Sequence, residues 1–357
     1  MGQSGPTGDA VRTMLHPYMP NGPTGDPVLW VDVLDEGRSL LVDLGDLHSM
    51  PGRKLLRVEH AIVTHTHMDH FVGFDRLLRL NLTRRRELTL TGPHGFLRNV
   101  QGKLDGYTWN LIEDYPVRLC VREVDDAVVR GVVHDGRSGL VARPMADRAF
   151  DGTIDECETW RVRAAPLDHG VPVLGVAIEE REHLAVDNDR LERLGLVPGP
   201  WLGELKAAVR RGGADEREVE VRGADGLQRK FSRRFLAAEL LSRMPGQTIA
   251  YVTDARDTAD NHDKIVDLAR DAHLFVCEAA FLESDRTLAD ARSHLTARRA
   301  GELARAAGVR RLAPFHLSPR YERREAELFR EAADAFGGPV VRLPTGPRRA
   351  AAHTGES

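Results

Sequence analysis

Four side chains that can bind a metal ion lie in the six-residue segment HTHMDH. The segment follows the apolar residues 61–63, a pattern typical of the end of a buried strand. Imidazole nitrogens and carboxylate oxygens are ligands that suit zinc and neighbouring first-row metals. His65 and His67 alternate along an extended segment and can bind one metal, whereas Asp69 and His70, at the turn into a helix, can bind a second. An exposed His-rich loop without chemistry is the alternative, but four candidate ligands in six residues of a chain with 15 His favour a metal site.

This segment resembles the metal-binding signature of the metallo-β-lactamase fold superfamily. The resemblance implies a mixed α/β (α+β) fold, a four-layer αββα sandwich whose metals lie at one edge between two β-sheets. It also implies three ligands further along the chain: a lone His, a bridging Asp and a final His. In this superfamily an Asp at the end of the second strand orients the metal ligands. Asp43 matches that position, with simple turn capping as the alternative.

Candidates for the implied ligands follow in the implied order, each at the end of an apolar strand. His169 lies between two apolar runs in PLDHGVPVLG, although a buried core histidine is an alternative there. Asp254 ends the run QTIAYVTD, and its two oxygens could bridge two cations. His316 ends the run RRLAPFH. The resemblance therefore implies two divalent ions, zinc or alternatively manganese. The implied ligands are His65, His67 and His169 for one ion, Asp69, His70 and His316 for the other, and Asp254 between them.

The last third of the chain resembles one branch of the superfamily, ribonuclease Z, the tRNA 3′-end endonuclease. The Glu-Ala-Thr motif of that family matches Glu278 and Ala279, with Ala280 in place of Thr. Its His-Ser-Thr loop is similar to residues 294–296, which read HLT. The family's tRNA-binding arm carries a Gly-Pro motif, which resembles GLVPGPWLGELK. Gly199 and Pro200 are at the centre of that segment.

The resemblance covers about residues 39–92 and 164–336. Two departures matter for the substrate. Residues 14–30 do not match the family's Gly-rich turn and the loop that senses the tRNA 3′ end, and the family's Tyr after the lone His is absent from VLGVAI.

The resemblance implies a phosphodiesterase mechanism. Two metals would activate a water, and Asp69 would orient the resulting hydroxide for attack on phosphorus. His294, polarised by Glu278, would donate a proton to the leaving 3′ oxygen, with a helix-capping contact as the alternative for this pair. The predicted function is a binuclear, ribonuclease Z-like endoribonuclease that processes tRNA 3′ ends. A hydrolase of a small phosphodiester or ester is the second hypothesis, and a binding scaffold without turnover is a third, which the full ligand set disfavours.

Composition narrows the remaining choices. The formal net charge of −4 gives no global attraction to nucleic acid, so an RNA partner would contact local Arg clusters. Three widely spaced Cys predict a reducing compartment without disulfides. With no run of about 18 apolar residues and no signal-like start, the chain is expected in the cytoplasm and away from membranes. A homodimer remains open.

One large domain is expected. The predicted organisation is a disordered leader at 1–13, a hydrolase domain at 14–346 and a disordered tail at 347–357. The charged segment 180–212, broken by the Pro-Gly-Pro turn, is predicted to form a protruding arm of two short helices.

Overall fold

The computed structural model describes residues 14–34, 36–213 and 215–347. The predicted leader, and the predicted tail from residue 348 onward, lie outside the described residues. The strands are β1 (Leu15–Tyr18), β2 (Leu29–Val33), β3 (Arg38–Val42), β4 (Val58–Ile62), β5 (Leu88–Pro93), β6 (Arg118–Val124), β7 (Val128–Asp135), β8 (Arg143–Pro144), β9 (Arg148–Ala149), β10 (Thr153–Glu156), β11 (Trp160–Asp168), β12 (Pro172–Glu180), β13 (Glu182–Val186), β14 (Glu218–Arg222), β15 (Gln228–Ser232), β16 (Leu241–Pro245), β17 (Thr248–Val252), β18 (Leu274–Glu278) and β19 (Leu312–Phe315). The helices are α1 (Gly52–Leu55), α2 (Met68–Phe71), α3 (Phe74–Asn81), α4 (Phe96–Asp105), α5 (Asn188–Arg193), α6 (Pro200–Arg210), α7 (Arg233–Leu240), α8 (Ala259–Leu268), α9 (Arg286–Arg292), α10 (Ala297–Ala306) and α11 (Glu325–Phe336).

The described chain divides into two compact units. The larger contains Leu15–Asp155, Val162–Glu179 and the chain from Thr248 onward, and the smaller contains Glu156–Arg161 and Glu180–Gln247. Within the described residues, no helix has the length and apolar composition needed to cross a membrane.

The larger unit is built on two sheets. One has the order β1-β2-β3-β4-β5-β6-β7-β8 with β9 also paired to β7, and the other has the order β10-β11-β12-β17-β18-β19. Strands β2 and β18 are buried at every position, as expected for strands covered on both faces. Helices α3 and α4 pack on the first sheet and α8, α10 and α11 on the second, through two separate apolar cores. These layers form the predicted αββα sandwich.

Parallel pairing brings the predicted site residues to one edge. Strands β3, β4, β5 and β6 run parallel to one another, as do β17, β18 and β19. The carboxyl ends of parallel strands meet at the same edge of a sheet, which is where α/β proteins bind ligands. The candidates at these ends are Asp43 after β3, residues 65–70 after β4, His169 after β11, Asp254 after β17, Glu278 at the end of β18 and His316 after β19.

The smaller unit has its own apolar core, which includes Leu205 and Leu236. The predicted pair of short helices is present as α5 and α6, and Pro200 occupies the first turn of α6 directly after Gly199. The unit continues past residue 212 through the β14–β15 hairpin, α7 and β16, which pairs with β13. It is thus larger than the segment 180–212 that the sequence indicated.

Candidate metal centre

The seven predicted ligands form adjoining groups of donor atoms. Ligand atoms of His65, His67, His169 and Asp254 all lie within 4.8 Å of one another. Those of Asp69, His70 and His316 form a second group with the same spacing. A third group with the same spacing contains Asp254, Glu278, His294 and His316. The first two groups contain the residues that the resemblance assigns to its two ligand sets.

Asp254 lies between the two groups. Its Oδ2 atom is 3.4 Å from Nε2 of His65 and 3.5 Å from Nε2 of His70. The same oxygen is 3.5 Å from Nε2 of His169, and Oδ1 is 3.4 Å from Nε2 of His316. One buried carboxylate therefore faces histidines of both groups, the placement expected of a residue shared by two cations.

The tautomers of two histidines follow from their partners. Nδ1 of His169 donates to the carbonyl oxygen of Ser293 at 2.8 Å, and Nδ1 of His70 donates to Oδ2 of Asp43 at 3.0 Å. Because both partners accept, the neutral form of each imidazole has its lone pair on Nε2, where it can bind a metal. Among the described side chains, Nε2 of His65 and Nε2 of His70 are buried without a hydrogen-bond partner. Such orphaned nitrogens fit divalent cations as the missing partners.

Asp43 anchors histidines of both groups, and its side chain is fully buried. Its Oδ1 atom accepts from the backbone N–H of Thr64 at 2.7 Å and from the Thr64 hydroxyl at 2.8 Å. The Thr64 oxygen in turn lies 3.2 Å from Nδ1 of His65. Oδ2 accepts from the Tyr251 hydroxyl at 2.9 Å as well as from His70. Asp43 thus contacts His70 directly and His65 through Thr64.

Four residues at the site have left-handed backbone conformations that non-glycine residues rarely adopt. Their φ values are +64° at Asp43, +50° at Asp254, +62° at Ser293 and +54° at His316. Such strained conformations concentrate at functional sites, where the surrounding structure maintains them. Here each places a side chain or carbonyl against the donor groups.

Burial disfavours the protonated forms of His70 and His316, but the carboxylates beside them outweigh burial and raise the pKa of both. Three other ligands are favoured in the form that binds a metal. Burial and the neighbouring His65 lower the pKa of His67, and burial likewise lowers the pKa of His169. Burial opposes ionisation of Asp254, but the neighbouring His316 and His65 hold its pKa well below the usual range. His67 and His169 are therefore favoured as neutral donors, and Asp254 is favoured as an anion.

Glu278 and His294 form a pair beside this cluster. Nδ1 of His294 donates to Oε2 of the buried Glu278 at 2.8 Å, and Oε1 accepts from the backbone N–H of Ala255 at 2.8 Å. Burial alone would lower the pKa of His294, but the Glu278 carboxylate raises it to about 9. The helix-capping alternative does not describe this contact, because the hydroxyl of Thr296 caps α10.

A cleft of about 460 Å³ opens next to the donor groups. Its lining includes Asp69, His294 and His316. Asp26, Arg292 and Arg320 also line the cleft. Within the described residues Arg292 has no ion pair, whereas Arg320 lies 3.6 Å from Asp285. The cleft therefore joins the candidate centre to two guanidinium groups that could bind phosphate.

Several of these side chains escaped sequence reasoning. Thr64, Tyr251 and Ser293 act through contacts between distant segments, and no local pattern marks them. Asp26, which lines the cleft, lies in the stretch 14–30 that matched no family motif. Gly199 and Pro200 belong to the smaller unit and are not members of the donor groups.

Known proteins resemble this chain in sequence and in fold. No protein-family model matches the chain. It is 34% identical to the ribonuclease Z of Deinococcus radiodurans over 332 residues, covering 90% of this chain and 96% of that protein. It is 32% identical to the ribonuclease Z of Kineococcus radiotolerans, covering 88% and 89%. The metallo-β-lactamase fold protein YhfI from Bacillus subtilis shares its fold, with a TM-score of 0.53 and 14% identity over 92% of this chain and 93% of that one.

Proposed function

The chain belongs to the ribonuclease Z family, and we propose that it is a metal-dependent endoribonuclease that removes 3′ trailers from tRNA precursors. At the site itself, one arrangement of side chains supports the proposal. A full set of metal donors, centred on Asp254, adjoins the Glu278–His294 pair at a cleft with two guanidinium groups. Phosphodiester hydrolysis needs these parts together: donors for cations, a proton donor, and positive charge for the substrate.

We assign the donors to two divalent ions, zinc or alternatively manganese. His65, His67 and His169 would hold one ion, Asp69, His70 and His316 the other, and Asp254 would be shared. The ions would supply the positive charge that activates water and stabilises the negative charge developing on phosphate oxygens.

The chain's own groups supply the proton transfers. The carboxylate of Asp69, about half exposed at the cleft, is placed to accept a hydrogen bond from the attacking water and to orient it. Nδ1 of His294 is held by Glu278, so Nε2 is the atom that can carry a proton to the leaving 3′ oxygen. Asp43 does not touch substrate, and it fixes the orientation of His70 and His65.

Substrate recognition uses two regions. Arg292 and Arg320 in the cleft would bind the phosphates that flank the scissile bond. The smaller unit, with Gly199 and Pro200 at the start of α6, would bind the body of the tRNA. A homodimer remains a prediction, which light scattering tests.

The direct experiment is cleavage of a pre-tRNA that carries a 3′ trailer, alongside bis(p-nitrophenyl) phosphate as a small diester. We expect cleavage at the trailer junction that leaves a 3′ hydroxyl on the tRNA. Turnover of the small diester without any pre-tRNA cleavage would favour the small-phosphodiester hydrolase instead. Metal binding without turnover of either substrate would favour a scaffold.

A further inference from the structure

The amide of Asn261, near the start of α8, is almost completely buried and makes three hydrogen bonds to two backbone segments. Its Oδ1 atom accepts from the N–H of Asp168 at 3.0 Å. Its Nδ2 atom donates to the carbonyl oxygens of Asp168 and Arg256, at 2.8 and 2.9 Å. One side chain therefore ties the segment before His169 to the segment after Asp254.

Arg256 makes a second tie between the same segments and extends it to a third. Its Nη1 atom pairs with Oδ2 of Asp168 at 3.0 Å, and its Nε atom donates to the hydroxyl of Ser293 at 3.1 Å. The guanidinium group lies over Gly170, where a Cβ atom would come within 2.9 Å of Nη2. Gly170 donates its N–H to Oδ1 of Asp168 and has a φ of +85°, a turn conformation that favours glycine.

These ties hold the loops of His169 and Asp254, and the segment of Ser293, at fixed spacing. Asp168 directly precedes His169, and Arg256 is two residues after Asp254. The carbonyl of Ser293 accepts from Nδ1 of His169, so moving it would also turn that imidazole. None of the three joining residues, Asn261, Arg256 and Asp168, belongs to a donor group itself.

We propose that Asn261 and Arg256 are positioning residues that set the distance between His169 and Asp254, and so determine the affinity for one of the two metals. The inference rests on the proposed binuclear function. It goes beyond it because it predicts that the two ions respond unequally. Asp254 stays in place at the end of β17, where the N–H of Ala255 is held by Glu278, so His169 is the ligand that moves when these ties are lost. The loops that carry Asp69, His70 and His316 are outside these ties, so their metal should be held as before. Binding of the ion assigned to His65, His67 and His169 should be weaker.

The test is Zn²⁺ titration of the full chain against a competing chelator, with Asn261→Asp as the variant. The substituted carboxylate keeps an acceptor for the N–H of Asp168 but turns an oxygen toward two carbonyl oxygens. Affinity for one ion should fall roughly 10–100-fold, the usual effect of losing a group that orients metal ligands, while the other ion is unchanged. Asn81→Asp is the matched control. It is a buried asparagine that donates to the carbonyl of Leu77 in α3, and it should retain both affinities.

Thermal unfolding of the metal-free proteins shows whether each variant is still folded. Arg256→Gln is the second variant, chosen because the Arg256 side chain is about half exposed. Arg256→Gln should weaken the same single ion. If the wild type binds two ions and these variants bind both with wild-type affinity, or lose both equally, the positioning role is refuted. If the wild type binds fewer than two ions, the binuclear function fails as well.

Discussion

Asp43→Asn offers a sharp test of how the metal ligands are oriented, because the change is isosteric and its result follows from four hydrogen bonds. The backbone N–H of Thr64 can only donate, so the amide oxygen of the substituted residue must face Thr64. The amide NH₂ then faces Nδ1 of His70. His70 must accept there and carry its proton on Nε2, the atom that should bind a metal.

The magnitude follows from that tautomer change. Loss of a group that orients a ligand typically weakens metal binding about 10–100-fold, which corresponds to about 1.4–2.8 kcal/mol. The effect should fall on the ion assigned to Asp69, His70 and His316. The His65 set should be less affected, because the amide oxygen still accepts from Thr64.

The assay is zinc affinity and stoichiometry by chelator competition, with thermal unfolding of the metal-free protein in parallel. Tyr251→Phe is the matched control, because it removes one donor to Asp43 and leaves His70 its acceptor. It should cost about 1.5–3 kcal/mol of stability, the usual contribution of a hydrogen bond to a charged group, and keep two metals. Two ions bound with unchanged affinity in Asp43→Asn would refute the tautomer argument. Equal metal loss in both variants would indicate general destabilisation.

Three further predictions address proton donation, the smaller unit and its core. His294→Ala should keep both metals and slow pre-tRNA cleavage roughly 10²–10⁴-fold but spare a nitrophenolate leaving group; equal slowing of both would exclude a general acid. Replacing the chain between Glu180 and Gln247 by a short Gly/Ser turn should preserve the β12–β17 pairing, the metals and small-diester turnover. Pre-tRNA binding should weaken and lose salt dependence, and unchanged binding would exclude an RNA-binding arm. Leu236→Ala, in the core of the smaller unit, should cost about 2–5 kcal/mol there without changing metal content, which limited proteolysis and metal analysis would check.

The metal ligands could be predicted from sequence because each lies at or just after the end of an apolar strand. The end of a strand fixes the position of the side chains that follow it. The segment from His65 to His70 indicated metal chemistry by itself. His169, Asp254 and His316 needed the family resemblance to single them out, since an isolated His or Asp at a strand end is common. The structure brings all of these residues to one edge, as the strand order requires.

The remainder could not be read from sequence for physical reasons. Strand β1 is short and contains Pro17, so it lacks the alternation that indicates a strand. The β14–β15 hairpin in the smaller unit is dominated by charged residues, which hid its pairing. Tyr251, Ser293 and Asn261 act through contacts between segments far apart in the chain, and only the folded geometry shows their partners.

The central claim is a two-metal centre that shares Asp254, and metal analysis of the wild type and Asp254→Ala tests it most directly. Inductively coupled plasma mass spectrometry on protein dialysed free of loose metal should find about two ions per wild-type chain. It should find fewer than one in Asp254→Ala, because the buried carboxylate faces histidines of both groups. Asp26→Ala, which removes a cleft carboxylate outside the donor groups, should keep two. One ion in the wild type, or two in Asp254→Ala, would contradict the shared-carboxylate centre.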